Sequence, residues 1–153
     1  MRTILFFPKL TTTIFFLAFI ISFGVFAQDN NSLVIDPDDP TLEWGACPEF
    51  MPEDCRLTVV HGDPARKNAD ILIKFAANSE IPNHYHTSAE RMVLISGELE
   101  VTYKGESPQL LKTGNYAYGP ALKHHSGRCG DAPCVLFIAF EEPVDAIPVA
   151  SKD

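Results

Sequence analysis

Basic side chains are scarce in this chain: 12 Lys and Arg stand against 20 Asp and Glu in 153 residues, a formal net charge of −8. So acidic a surface repels phosphate backbones and anionic headgroups, which excludes nucleic acid and anionic membrane surfaces as partners. No internal repeat occurs, and no stretch after residue 27 carries a helical period, which excludes solenoids, helical bundles and alternating α/β architectures. Tryptophan appears once, at Trp44.

Long apolar runs are also missing from the body of the chain and are confined to its start. Arg2 and Lys9 precede an apolar stretch from Ile14 to Phe26, which ends in the small-residue pattern Val25-Phe26-Ala27. This order is that of a secretory signal peptide over residues 1–27, and the run is shorter than the ~20 residues a spanning helix needs. No cysteine lies at the cleavage position, so a lipid anchor is not expected, and the chain should leave the membrane after cleavage. The mature chain would begin at Gln28 and hold 126 residues, enough for one domain. Arg2 and Lys9 leave with the signal and no acid does, so ten basic and 20 acidic residues remain, net −10.

Four cysteines, Cys47, Cys55, Cys129 and Cys134, all lie in the mature part. An even number in an exported chain points to two disulfides and a secreted or periplasmic location. Three connectivities are allowed. Cys47–Cys55 and Cys129–Cys134 are favoured, since each closes a short loop rich in turn formers, Pro48 and Pro52 in one, Gly130 and Pro133 in the other. A zinc site of cysteines is disfavoured, because neither spacing makes a two-residue knuckle.

What remains reads as short strands. Leu57–Val60, Ile71–Phe75, Met92–Ile95, Leu99–Tyr103, Tyr116–Tyr118 and Val135–Phe140 are β-branched or aromatic and are separated by turn formers. Leu99, Val101 and Tyr103 alternate with Glu98, Glu100, Thr102 and Lys104, giving one strand a core face and a wet face. Residues 28–55, with their prolines and Trp44, read as an extended arm across a barrel of residues 56–142, and residues 143–153 as a tail.

The chemistry lies in His84-Tyr85-His86-Thr87-Ser88-Ala89-Glu90 and, further on, Pro120-Ala121-Leu122-Lys123-His124-His125. Alternate residues of a strand share a face, so His84 and His86 converge and Tyr85 turns away. Two imidazoles buried together need a metal or a polar network to satisfy them. The polar residues Thr87-Ser88-Ala89 suit a hairpin turn that would return Glu90 beside the histidines. A mixed imidazole and carboxylate set suits Mn, Fe, Ni, Cu or Zn better than Ca or Mg. A fourth ligand would come from His125, with its neighbour His124 competing. His61, just before the turn Gly62-Asp63-Pro64, reads as an ordinary surface or hydrogen-bonded histidine. Tyr85, Tyr116 and Tyr118 are candidate pocket residues, although as single residues they suit ordinary sheet packing better.

The HxHxxxE pattern of His84, His86 and Glu90 with Gly97, followed by Gly114, Pro120 and a histidine five residues later, resembles the two signature motifs of the cupin superfamily, over roughly Arg56 to Glu142. The resemblance implies an all-β fold, a double-stranded β-helix or jelly-roll barrel, with His84, His86, Glu90 and His125 as ligands of one divalent transition metal. Two positions depart from the motifs. Asn78 replaces a glycine and should still take positive φ. Leu122 replaces another, and leucine is costly there, so that loop is expected to run differently and to leave His124 and His125 in competition.

Four protein ligands would leave an octahedral metal two positions for water, dioxygen or substrate, which points to catalysis. The first expectation is a metal-dependent, oxygenase-type enzyme acting on a small organic molecule. The second is a binding or sensing module that holds a metal or a small ligand such as a sugar without turnover. The expected partners are a small-molecule ligand or substrate and at most a second copy of the chain as a homodimer.

Overall fold

Period-two burial runs through the computed structural model, which describes residues 32–150; the expected signal peptide lies outside the described residues. Eleven strands form: β1 (Gly45–Ala46), β2 (Arg56–His61), β3 (Ala69–Phe75), β4 (Glu80–Tyr85), β5 (Glu90–Ser96), β6 (Glu98–Tyr103), β7 (Gln109–Lys112), β8 (Tyr116–Gly119), β9 (His125–Cys129), β10 (Cys134–Phe140) and β11 (Ile147–Pro148). No helix occurs among the described residues. The strands make a six-stranded sheet in the order β1-β2-β3-β10-β5-β8 and a five-stranded sheet in the order β11-β4-β9-β6-β7. Every pairing is antiparallel. This is the expected all-β jelly roll.

Alternation explains why the two sheets close on each other. In β10, Cys134, Leu136, Ile138 and Phe140 point inward; in β6, Leu99, Val101 and Tyr103 do. Both sets join one apolar cluster with Ile71, Phe75, Met92 and Leu94 of the first sheet and Ile81 of the second. Burying a side chain of this size contributes about 1.5–3 kcal/mol, so the cluster is the main source of stability. Cys47 lies at disulfide distance from Cys55 and Cys129 from Cys134, with Cα–Cα separations of 5.6 and 5.8 Å. Trp44 lies under Lys74, whose Nζ is 3.9 Å from the ring centre, so the segment before β2 is held against β3.

One expectation of local structure fails. β4 and β5 do not form a hairpin: β4 pairs with β9 and β11, whereas β5 pairs with β10 and β8 in the other sheet. The linking residues cross between sheets because their side chains are held elsewhere. Ser88 is buried, and its hydroxyl accepts hydrogen bonds from the backbone N–H groups of Glu141 (2.9 Å) and Glu142 (3.0 Å). Thr87 donates its N–H and hydroxyl to the Asp145 carboxylate at 2.9 and 2.7 Å. A tight turn would break all four bonds.

Candidate metal centre

The site begins with a break in the alternation of β4. Ile81 and His84 both point inward although three positions apart, because the register with β9 shifts between them at Pro82 and Asn83. Such an irregularity re-aims the side chains that follow it, and Pro82 lacks the N–H a regular ladder would use. From there His84 and His86 share the inner face, as expected. His84 lies opposite His125 of β9, and His125 lies opposite Tyr103 of β6. The three imidazoles offer ligand atoms within 4.8 Å of one another. Glu90 reaches them from β5, with carboxylate oxygens 3.5 Å from His86 Nε2 and 3.3 Å from His125 Nε2.

Hydrogen bonds decide which face of each imidazole looks inward. The Nδ1 atom of His84 contacts the Pro82 carbonyl at 2.7 Å, that of His125 the Lys123 carbonyl at 3.1 Å, and that of His86 the Asp145 carbonyl. A carbonyl only accepts, so each Nδ1 carries the proton and each Nε2 keeps its lone pair. All three rings therefore present acceptors to the centre. Burial pushes the imidazolium form out of reach: His84 falls to about 4, His125 to about 3 with the charge of His84 adding to the effect, and His86 is lowered as well. Burial also raises the Glu90 carboxyl to about 8.

A divalent transition metal fits this donor set. Glu90 is 2% exposed, and its Oε1 has no hydrogen-bond partner among the described residues. A buried acceptor without a partner costs about 1–3 kcal/mol, and three further lone pairs aimed at the same place supply no proton for it. A cation would satisfy all four groups together. Among the described residues, Tyr103 carries the other unpartnered buried side-chain atom, its hydroxyl, with its ring 5.3 Å from that of His125. Its pKa is raised by burial and by the charge of Glu90.

Several neighbours of the centre carry no signal in the sequence. Gly119 faces Glu90 across β8 and β5, and a Cβ there would collide with the carboxylate, reaching Cγ at 2.7 Å. Asp145 lies in the segment read as a tail, yet β11 beyond it pairs with His84 and Tyr85, and its carbonyl orients His86. Neither residue has a motif around it; only the pairing of distant strands brings them in.

Other expected positions resolve differently. His125 points inward, while His124 is outside and stacks on Tyr85 at 5.2 Å and 21°. Tyr116 and Tyr118 are 60% and 51% exposed, and neither they nor Tyr85 line the cavity, which corrects their reading as pocket residues. The reason is parity: with Ala117 and Gly119 on the inner side of β8, the tyrosines must face out. His61 is on the surface, 3.9 Å from Asp70. Asn78 takes φ +63° as expected, but Leu122 also takes φ +62°, so the loop does not reroute. Lys123 N–H donates to the Pro120 carbonyl at 3.1 Å, a turn whose third residue needs positive φ. Leu122 N–H donates to the His86 carbonyl at 2.8 Å, which holds the turn in place.

The cluster opens into a cavity of about 420 Å³ between the sheets. Its walls are almost entirely apolar, and Met51 before β2 and Val144 to Ala146 after β10 complete them.

The family model described as the ChrR cupin-like domain matches residues 31–143, and the chain belongs to that family. Among solved structures, the DMSP lyase DddQ from Ruegeria pomeroyi DSS-3 is similar with a TM-score of 0.62 at 18% identity, over 72% of this chain and 61% of that one. The polyketide cyclase RemF from Streptomyces resistomycificus gives 0.65 at 12% identity, over 79% and 89%. Bacillus subtilis oxalate decarboxylase, a protein with Mn(II) centres, gives 0.53 at 19% identity, over 62% and 28%. This chain thus spans about three-fifths of the length of the lyase. At such identities the shared property is the fold. No curated protein sequence matches the chain significantly.

Proposed function

We propose that this member of the ChrR cupin-like family is an exported metal-dependent enzyme of the oxygenase type, acting on a small organic molecule, with His84, His86, Glu90 and His125 as the ligands of one divalent transition metal. The carrying observation is the convergence of three Nε2 lone pairs and an unpartnered buried carboxylate oxygen on the wall of an otherwise apolar cavity. When bound, the metal would supply a Lewis acid and, for Mn, Fe, Ni or Cu, a redox centre. The chain's own groups do the rest. The Pro82, Lys123 and Asp145 carbonyls hold the rings in their ligating tautomer, and the apolar walls exclude water from the reacting end of the substrate. The two cysteine pairs support export to a secreted or periplasmic location.

A second reading, a module that binds metal and ligand without turnover, draws support from the walls. Among the described residues, the titratable side chain lining the cavity apart from the four expected ligands is Asp145, already engaged by Thr87. The deciding experiment strips the mature protein, reloads it with Mn, Fe, Ni, Cu or Zn, and follows dioxygen uptake against a panel of small organic substrates. Uptake with a redox-active metal and none with Zn supports the enzyme. Full metal occupancy without substrate-dependent uptake for any metal overturns it in favour of the binding module.

A further inference from the structure

Polarity inside the barrel is distributed very unevenly. Among the described residues, the polar side chains that line the cavity are the four at the candidate metal site, Ser126 and Asp145; no lysine or arginine among them does, and the remaining wall is built from residues such as Ile71, Met92, Leu136 and Ile138. A ligand hydroxyl placed against that wall would lose its bonds to water and gain none, at a loss of about five- to a hundredfold in affinity per group. Polyhydroxylated ligands are therefore excluded. Charge limits the ligand as well. Three neutral imidazoles, one carboxylate and a divalent cation carry a net single positive charge, which one anionic group neutralises in a medium that screens poorly. A second anionic group elsewhere in the cavity would meet apolar wall and, among the described residues, no lysine or arginine.

We propose that the cavity takes an apolar molecule bearing a single anionic oxygen head-group, with the head at the metal and the body along the hydrocarbon walls between the two sheets. This rests on the metal-binding reading above and adds the ligand class to it. The volume of about 420 Å³, at roughly 30 Å³ for each water-sized atom, accommodates a body on the order of 14 non-hydrogen atoms. A medium-length carboxylate fills that space, whereas acetate leaves the walls uncovered.

The test uses mature, disulfide-intact protein loaded with Zn, with metal content fixed by elemental analysis before any ligand is added. Calorimetry then follows butanoate, octanoate, dodecanoate and hexadecanoate, with octanol, gluconate and suberate as comparisons. Affinity should rise about fourfold per methylene and level off where the cavity is full, with suberate and gluconate at least about a hundredfold weaker than octanoate. Octanol, lacking the charge, should fall well below octanoate in metal-loaded protein and match it in stripped protein. In Val101→Phe the enlarged side chain should move the plateau to a shorter acid while metal content stays the same. Full metal loading with gluconate or suberate binding as tightly as octanoate, or with no dependence on chain length, overturns the proposal and leaves the metal reading intact. Failure to take up metal overturns the metal reading, and the proposal falls with it.

Discussion

Glu90 and His125 stand on opposite sheets, yet the Glu90 carboxylate approaches His125 Nε2 to 3.3 Å, and both side chains are withdrawn from water. The candidate metal site thus draws its residues from both sheets. Loss of either residue should be felt in metal binding before it is felt in the fold.

In the first prediction, His86→Ala and His125→Ala each reduce metal occupancy at micromolar metal to near zero while the far-ultraviolet circular dichroism of the β-fold persists. His124→Ala keeps full occupancy, because that ring stacks on Tyr85 outside the barrel. Elemental analysis after dialysis reads all three, and an unaltered metal content in His125→Ala would remove that residue from the ligand set.

Gly119 gives the second prediction. A methyl group at this position collides with Glu90, so Gly119→Ala should weaken metal binding about 10- to 100-fold by displacing the carboxylate. At Gly130 an added Cβ would meet only ordinary contacts, the nearest at 3.5 Å, so Gly130→Ala should bind metal like the parent protein. Competition against a chromophoric chelator measures both, and equal affinities for the two variants would contradict the steric account.

The third prediction concerns pH. In metal-stripped protein the histidines take up protons on unfolding between their folded values, about 4 for His84 and about 3 for His125, and the ordinary value of 6.5. Stability contributed by these groups therefore rises with pH through that window. Glu90 behaves oppositely: its folded value of about 8 lies above the ordinary 4.5, so its contribution declines as pH rises between the two. Three histidines outweigh one carboxyl where the windows overlap. Stability should climb to about pH 6.5 and then fall toward pH 8, the fall amounting to on the order of 1 kcal/mol per pH unit at most. Thermal melts in chelator should trace this maximum, Glu90→Gln should flatten its alkaline side, and a curve that keeps rising from pH 6.5 to 8 in the parent protein would refute the assignment.

A fourth prediction concerns the cysteines. The Cys47–Cys55 and Cys129–Cys134 pairs close separations of 8 and 5 residues, so removing either should cost about 2 kcal/mol. Replacing Cys47 and Cys55 by serine should also weaken ligand binding, because Cys47, Pro48 and Met51 form part of the cavity wall. Thiol titration of exported, denatured, unreduced protein should find no reactive groups, and its mass should correspond to a chain starting at Gln28; four reactive thiols would defeat the disulfide reading.

Much of the barrel was legible because burial and alternation are local properties. Leu99, Val101 and Tyr103 announce their inner face within a single strand, whereas β10 is apolar throughout and only the fold shows which of its residues turn inward. Where local rules failed, a distant partner had intervened. Thr87-Ser88-Ala89 has the composition of a turn, but Asp145 and the backbone of Glu141 and Glu142 draw it across to the other sheet. Leu122 is an unfavourable residue for positive φ, but a bond to the His86 carbonyl holds it there.

By itself, then, the amino-acid order determined the all-β class and the shared face of His84 and His86, and it favoured the two cysteine pairings without excluding the others, since each depends on spacing along a strand or a short loop. Tertiary structure alone decided that His125 rather than His124 faces the centre, that Glu90 arrives from the facing sheet, that Tyr116 and Tyr118 lie outside, and that Gly119 and Asp145 serve the site. These depend on strand register and on which sheet a strand joins. A shift of one residue reverses every side chain, and the energy that selects the register is spread over the whole core rather than written in any one segment.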